Sequence, residues 1–253
     1  MPRPFRVNPL AALWLLFRMQ LLSMRWFWRA TLVGGFFLPL FTLTFWKLLV
    51  AGYGARSSDA IYFLSGNVVI SLLFGNMREV ASRFAFLQET AALDYYATLM
   101  TDKVSLILAV VLAFLVMSLP GALFALLIGT AWLGAPVQPH PLLALALVLG
   151  SIALSVLGAI VGVYCRSREQ SSIIITLLTL GLAVLSPVMA PIERLPKILQ
   201  ATSYLTPTTY ATQAVRSALV STLDGRFWLN LAVLVLFCLA ALAFVSRRLD
   251  WRA

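Results

Sequence analysis

Hydropathy divides the 253-residue chain into six apolar runs joined by short polar segments. The runs lie near Ala30–Val50, Ile61–Met77, Val104–Ile128, Leu142–Tyr164, Ser171–Met189 and Phe227–Val245. Each approaches the roughly 20 residues that carry an α-helix across hydrocarbon. The runs are continuous rather than alternating, so they predict helices and not barrel strands. Gly66, Asn67, Gly75 and Asn76 interrupt the second run. No intervening segment is long enough for a soluble domain. The pattern predicts an all-α polytopic membrane protein, with residues 1–253 forming one transmembrane domain.

Shorter amphipathic stretches accompany the runs. Within residues 1–29, Arg18, Arg25 and Arg29 are spaced by seven and four, which puts them on one helical stripe. Leu13, Leu16, Met24 and Phe27 lie roughly opposite, and Trp14, Trp26 and Trp28 add interfacial aromatics. This predicts a helix lying in the membrane surface; the other reading is that it simply begins the first span. The arginines also break up any signal-peptide core. Residues 78–103 hold Glu79, Glu89, Asp94 and Asp102 among basic and aromatic residues. They predict a helix exposed at the membrane face, with Leu87, Ala91 and Tyr95 on one side and Glu89 and Asp94 off it.

The fourth run carries Ser151, Ser155, Gly158 and Gly162 at spacings of four, three and four. Such a small-residue stripe lets helix backbones approach closely in lipid, either across a dimer or within one chain. Between the fifth and sixth runs, Pro187, Pro191, Pro196 and Pro207 cut the segment into short pieces. Two amphipathic stretches, near Lys197–Tyr204 and Thr208–Val220, are too short and too polar to span. They predict a non-spanning helical pair, tolerated in a membrane where protein or a water-filled cavity satisfies its backbone.

Composition agrees with the pattern: 61% hydrophobic and 11% charged residues, with a mean hydropathy of +0.94. The net charge of +10 would suggest nucleic acid in a soluble protein. Here the basic residues collect at helix ends instead. A cytoplasmic N-terminus leaves only Lys47, Arg56, Arg194, Lys197, Arg216 and Arg226 outside, with the other thirteen Lys and Arg inside. That excess predicts both termini in the cytoplasm, and no nucleic-acid partner. Cys165 and Cys238 imply no disulfide framework. His140, the single histidine, lies between Pro139 and Pro141 and predicts no metal site.

Several chemistries are missing from the sequence. The only lysines, Lys47, Lys103 and Lys197, follow Trp46, Asp102 and Pro196, so no phosphate-binding Walker loop is present. No Gly-x-Ser-x-Gly elbow or His-Glu-x-x-His pair occurs. The chain therefore predicts no catalytic residues and no bound cofactor of its own. The centres of the runs hold essentially no ionisable residue, which argues against proton coupling.

Two stretches carry a family resemblance. One is Leu195-Pro-Lys-Ile-Leu followed by Tyr204-Leu-Thr-Pro-Thr-Thr-Tyr-Ala-Thr-Gln-Ala-Val-Arg, with Pro196, Tyr204, Pro207, Thr209, Tyr210, Ala211, Ala214 and Arg216 at matching positions. The other is Glu89-Thr-Ala-Ala-Leu-Asp-Tyr-Tyr-Ala-Thr-Leu. Together they resemble the permease subunit of ABC-2 type exporters, a group that includes drug-efflux, lipo-oligosaccharide and polysaccharide export permeases. Where that family carries a proline-containing turn, this chain has Met100-Thr-Asp-Lys.

The resemblance implies six transmembrane helices, an N-terminal interfacial helix, a cytoplasmic coupling helix and outer re-entrant helices within 190–222. It also implies a second copy of the chain and two copies of a separate ABC ATPase, which would bind ATP and Mg2+. The expected location is the bacterial inner membrane. Glu89, Leu93, Asp94 and Tyr95 become the expected ATPase contacts. Phe37, Phe41, Phe45, Asn67, Ser71, Thr176 and Thr179 become the expected substrate path, and Tyr204, Pro207, Tyr210 and Arg216 the outer gate. The cargo expected is a hydrophobic or amphipathic drug, lipid or lipid-linked glycan. The alternatives are an ion-gradient-driven secondary transporter, a lipid-modifying membrane enzyme and a structural assembly subunit.

Overall fold

A computed structural model describes residues 9–24, 36–37, 39–45, 47–48, 57–98, 102–134, 137–185 and 196–248. Every regular element among them is helical. In chain order these are α1 (Pro9–Met24), a helical stretch α2 over 39–45, α3 (Ser57–Leu72), a π-turn (Leu73–Met77), α4 (Arg78–Glu89) and α5 (Ala92–Thr98). Then follow α6 (Lys103–Leu133), α7 (Leu142–Tyr164), α8 (Arg168–Leu185), α9 (Lys197–Ser203), α10 (Pro207–Leu219) and α11 (Gly225–Arg248).

Four helices among the described residues are long and apolar enough to cross a membrane: Ala60–Glu89, Lys103–Leu133, Leu142–Tyr164 and Gly225–Arg248. Of the first expected run, 36–37, 39–45 and 47–48 are described, and the rest lies outside the described residues. The fifth is present as α8, and its expected continuation over 186–189 also lies outside them.

The second run is longer than its hydropathy indicates. It passes through the π-turn and α4 as one 30-residue helix, with Gly75 and Asn76 inside the π-turn rather than at an end. Arg78–Glu89 is therefore not a separate exposed helix. Val80, Ala81, Phe84, Ala85 and Leu87 are buried, and the charged residues of this stretch occupy its remaining face. Local signals set the other boundaries. Gly134 adopts φ 59° and closes α6, the left-handed conformation that glycine takes without strain. Pro207 opens α10 at a position where its missing N–H costs nothing. His140 has a local role, its Nδ1 accepting the Leu142 N–H at 3.2 Å at the start of α7.

Two apolar cores are stacked along the helix axes. One joins α3, α7, α10 and the first turns of α11 through Leu64, Val68, Leu147, Leu154, Val215 and Phe227. The other joins α1, α4, α5 and the first half of α6 through Leu16, Phe84, Leu93, Tyr96, Ile107 and Val110. The first lies at what we call the α10 end of the bundle, the second at the α5 end. The buried face of α1 includes Leu16 and Met24, while Arg18 is exposed; Arg25, Phe27 and Arg29 lie outside the described residues.

The small-residue stripe of α7 packs within the chain. A Cβ at Gly158 would overlap the Met77 carbonyl, and one at Gly162 would stand 2.5 Å from the Ala81 carbonyl oxygen. Backbone meets backbone there, so nothing flexible can yield. One face further on, a Cβ at Gly150 would meet Ala211 of α10 at 3.2 Å. We expect Gly158→Ala to destabilise the fold by about 1–3 kcal/mol, the usual range for overpacking. Gly181, in α8, has open space around it, so Gly181→Ala should be neutral or stabilise by up to about 1 kcal/mol through helix propensity. Thermal unfolding in detergent checks both signs; a Gly158→Ala variant as stable as the parent would refute the contact.

Candidate functional site

At the α5 end the long helix stops abruptly. The Thr90 N–H closes on the Phe86 carbonyl at 3.1 Å, and Ala91 takes φ 51°. That positive φ is costly for a residue with a Cβ. The chain restarts as α5 in a new direction, so Leu87, Ala91 and Tyr95 do not share one helical face. Leu93 and Tyr96 are buried instead, three residues apart, while Asp94 and Tyr95 are exposed. Tyr95 keeps 59% of its surface accessible and stacks edge-on to Tyr96 at 6.0 Å. The Tyr96 hydroxyl accepts from Gln20 Nε2 at 3.4 Å, which ties α5 to α1.

The last turn of α4 clamps the α7–α8 corner. Gln88 Nε2 donates to the Val163 carbonyl at 2.6 Å, satisfying an acceptor in the last turn of α7. Glu89 Oε2 accepts the Arg168 N–H at 3.2 Å, the favourable position for a carboxylate at a helix start. Glu89 therefore has a structural contact of its own beside any partner. Cys165, within this corner, is buried, and burial pushes its thiol pKa up, keeping it protonated and inert.

The seven expected path residues divide into two groups. Phe37, Phe41 and Phe45 are exposed, at 72%, 69% and 52%. Asn67, Ser71 and Thr179 are buried, and Thr176 is half-buried. Asn67 points at α2 from the other side: its Oδ1 accepts from Thr42, and its Nδ2 donates to the Pro39 carbonyl at 3.4 Å. Leu43 is fully buried on that inner side. Thr176 and Thr179 return their hydroxyls to the Ser172 and Ile175 carbonyls, both at 2.6 Å. Within one chain the phenylalanines and the polar residues therefore do not line a common surface.

The expected outer gate is a compact corner. The Tyr210 hydroxyl donates to the Tyr204 carbonyl at 2.7 Å, and Thr209 Oγ1 donates to the Ser203 carbonyl at 2.6 Å. Both bonds fold α9 against α10 around the buried Pro207. Arg216 reaches across to α3: its Nε donates to Ser65 Oγ at 3.1 Å, and its guanidinium lies 3.5 Å from the Tyr62 ring centroid. At the end of α10, the Gln138 and His140 N–H groups donate to the Leu219 and Ala218 carbonyls, both at 2.9 Å. Two carbonyls in the last turn of α10 are thus satisfied by protein.

A family model described as ABC-2 type transporter matches residues 11–220. The chain belongs to that family. A search among curated proteins finds no match. Membership makes this a multi-pass permease subunit of an ABC-type transporter, a class that pairs with an ABC ATPase and is generally not itself catalytic.

Sequence reasoning missed Gln20, Gln88, Tyr62 and Ser65. Each makes its contact over 63 or more positions of chain, and Arg216 is 151 residues from Ser65. No local pattern announces such partners. Only the placing of polar side chains at the edges of apolar runs hinted at them. A double-mutant cycle on the permease, Arg216→Ala against Tyr62→Leu, should give a coupling of about 0.5–2 kcal/mol from the cation–π contact. Additive losses in unfolding free energy would show that the stacking contributes nothing.

Proposed function

We propose that this chain is the permease of an ATP-driven exporter, two copies of which combine with two ATPase subunits that bind ATP and Mg2+. The observation that carries this reading is α5. It is short, detached from the long helix at Ala91, anchored inward by Leu93 and Tyr96, and presents Asp94 and Tyr95 outward. Such a helix suits an ATPase contact, since an exposed tyrosine beside a charge can act as an interface anchor. Glu89 adds charge beside it, and α1 adds a second contact.

The mechanism follows from the connections. Closure of the ATPases on nucleotide displaces α5. Leu93 and Tyr96 pass the displacement into the core shared by α1, α4 and α6. The 30-residue helix carries it to the α10 end, with the π-turn as the place where that rod can flex. Inward- and outward-open states alternate as a result.

In the dimer, Phe37, Phe41 and Phe45 face the cargo, while Asn67, Ser71, Thr176 and Thr179 become accessible as the helices tilt. The α9–α10 corner serves as the outer gate through Tyr204, Pro207, Tyr210 and Arg216. Arg78, Arg83, Lys103, Arg166, Arg168, Arg247 and Arg248 lie toward the α5 end, which favours placing that end and both termini in the cytoplasm of a bacterial inner membrane. The cargo is a hydrophobic or amphipathic molecule moved outward: a drug, a lipid or a lipid-linked glycan.

Replacing Asp94 and Tyr95 together with alanine tests the assignment. Both side chains are exposed, so the fold should survive with an unchanged melting temperature. Transport-coupled ATP hydrolysis by the purified complex should fall by about tenfold or more, the scale of a truncated hot spot. Full coupled hydrolysis in that variant would remove α5 from the ATPase contact.

A further inference from the structure

The α5 end holds a basic cluster that neither the coupling helix nor the path uses. Glu79, Arg83 and Phe86 line the half-buried face of α4, between α1 and the start of α8. Arg83 is held from the α1 side: its Nε donates to Gln20 Oε1 at 3.0 Å and its Nη2 to Ser23 Oγ at 3.4 Å. Its guanidinium lies 5.6 Å from the Phe86 ring centroid. Arg168, from α8, lies 4.4 Å from that same centroid. Two guanidinium groups thus share one aromatic ring, and each is within electrostatic reach of the other.

The carboxylates near the pair are shared with other groups. Glu79 is near Arg168, but it also answers Arg78. Glu89 uses Oε2 on the Arg168 backbone N–H. Among the described residues the local set is four guanidiniums, Arg78, Arg83, Arg166 and Arg168, against three carboxylates, Glu79, Glu89 and Glu169. Like charges held together on one ring call for an anion; Arg168 offers a planar fork that matches phosphate oxygens bidentately, and Arg83, already donating through Nε and Nη2, adds charge beside it. The depth is also suitable. α4 ends at Glu89 and α8 begins at Arg168, so the pair stands where helix ends meet the headgroup layer. Beyond Arg168 the outer surface of α8 is apolar, with Ile173, Leu177 and Leu180 exposed. An acyl chain attached to a bound headgroup would find hydrocarbon-compatible surface there.

We propose that Arg83 and Arg168, seated on Phe86, bind the phosphate headgroup of an anionic membrane amphiphile. The site depends on the chain spanning a membrane and not on the export reading, so it stands whether the amphiphile is cargo or a resident lipid.

The test uses the full chain in nanodiscs of phosphatidylcholine, with fluorescent phosphatidylglycerol or phosphatidylcholine as probe. Wild type should prefer phosphatidylglycerol. R168Q should weaken that probe by about tenfold, the loss expected for a charge-assisted contact, and leave phosphatidylcholine unchanged. R168K should fall between them, keeping the charge without the planar fork. The Arg168 side chain is exposed and rests on the Phe86 ring, so R168Q should melt close to the parent.

R83Q/R168Q should abolish the preference. Equal phosphatidylglycerol affinity in R168Q and wild type would overturn the proposal. So would full displacement of the probe by inorganic phosphate, which would mean a free-phosphate site. Loss of the ATPase subunit from R168Q with lipid binding intact would overturn it too, making the cluster a protein contact. In proteoliposomes with the ATPase, ATP-driven movement of the bound probe marks cargo and its retention marks a resident lipid; either outcome upholds the site.

Discussion

The bundle depends on one backbone-to-backbone contact. In lipid, burying apolar side chains against one another gains little, so helices must adhere by close packing and polar bonds. The α7 stripe provides both against the long helix. Gly158 and Gly162 admit the Met77 and Ala81 carbonyls, and Ser151, two turns earlier, accepts a hydrogen bond from Asn76 Nδ2. Other elements then arrange themselves around α7. α10 lies against it at Gly150, α11 meets it through Ala153 and Leu234, and α8 is joined to it by the corner that Gln88 and Glu89 hold.

Polar side chains in the apolar layer act as fixed joints. Thr176, Thr179 and Thr212 return their hydroxyls to carbonyls four residues back, so helical continuity costs no stray donor. Asn67 and Thr42 join α2 to α3, and Arg216 joins α10 to α3. Outside this jointed frame the surface is apolar. Leu177, Leu229, Leu236 and Leu239 are exposed, as a surface facing lipid or a second subunit would be.

Much of this was legible in the sequence. Leu142–Tyr164 coincides with α7, because unbroken apolar length is a sufficient signal for a spanning helix. Pro196 and Pro207 marked the starts of α9 and α10 through backbone geometry alone. The end of the second span was misplaced, because Arg78, Glu79 and Arg83 read as solvent-exposed. In the fold those charges occupy one side of a helix whose other side is buried. Periodicity across Thr90 failed for a different reason: nothing in Glu89-Thr-Ala-Ala announces a positive φ at an alanine. The two uses of the glycine stripe were indistinguishable in sequence, since a dimer and an intramolecular contact ask for the same small residues.

The π-turn has a geometric consequence. A π-turn holds one residue more than the α-helical turn it replaces, and each residue of an α-helix swings the chain by about 100°. The azimuth of everything from Arg78 to Glu89 is therefore set by a single surplus residue among Leu73–Met77. Take one residue out and Phe84 would swing away from Gly162, while Arg83 and Phe86 turned toward a different neighbour. The compass bearing of the far end of this rod is thus written in chain length, at a spot where composition would barely register the change.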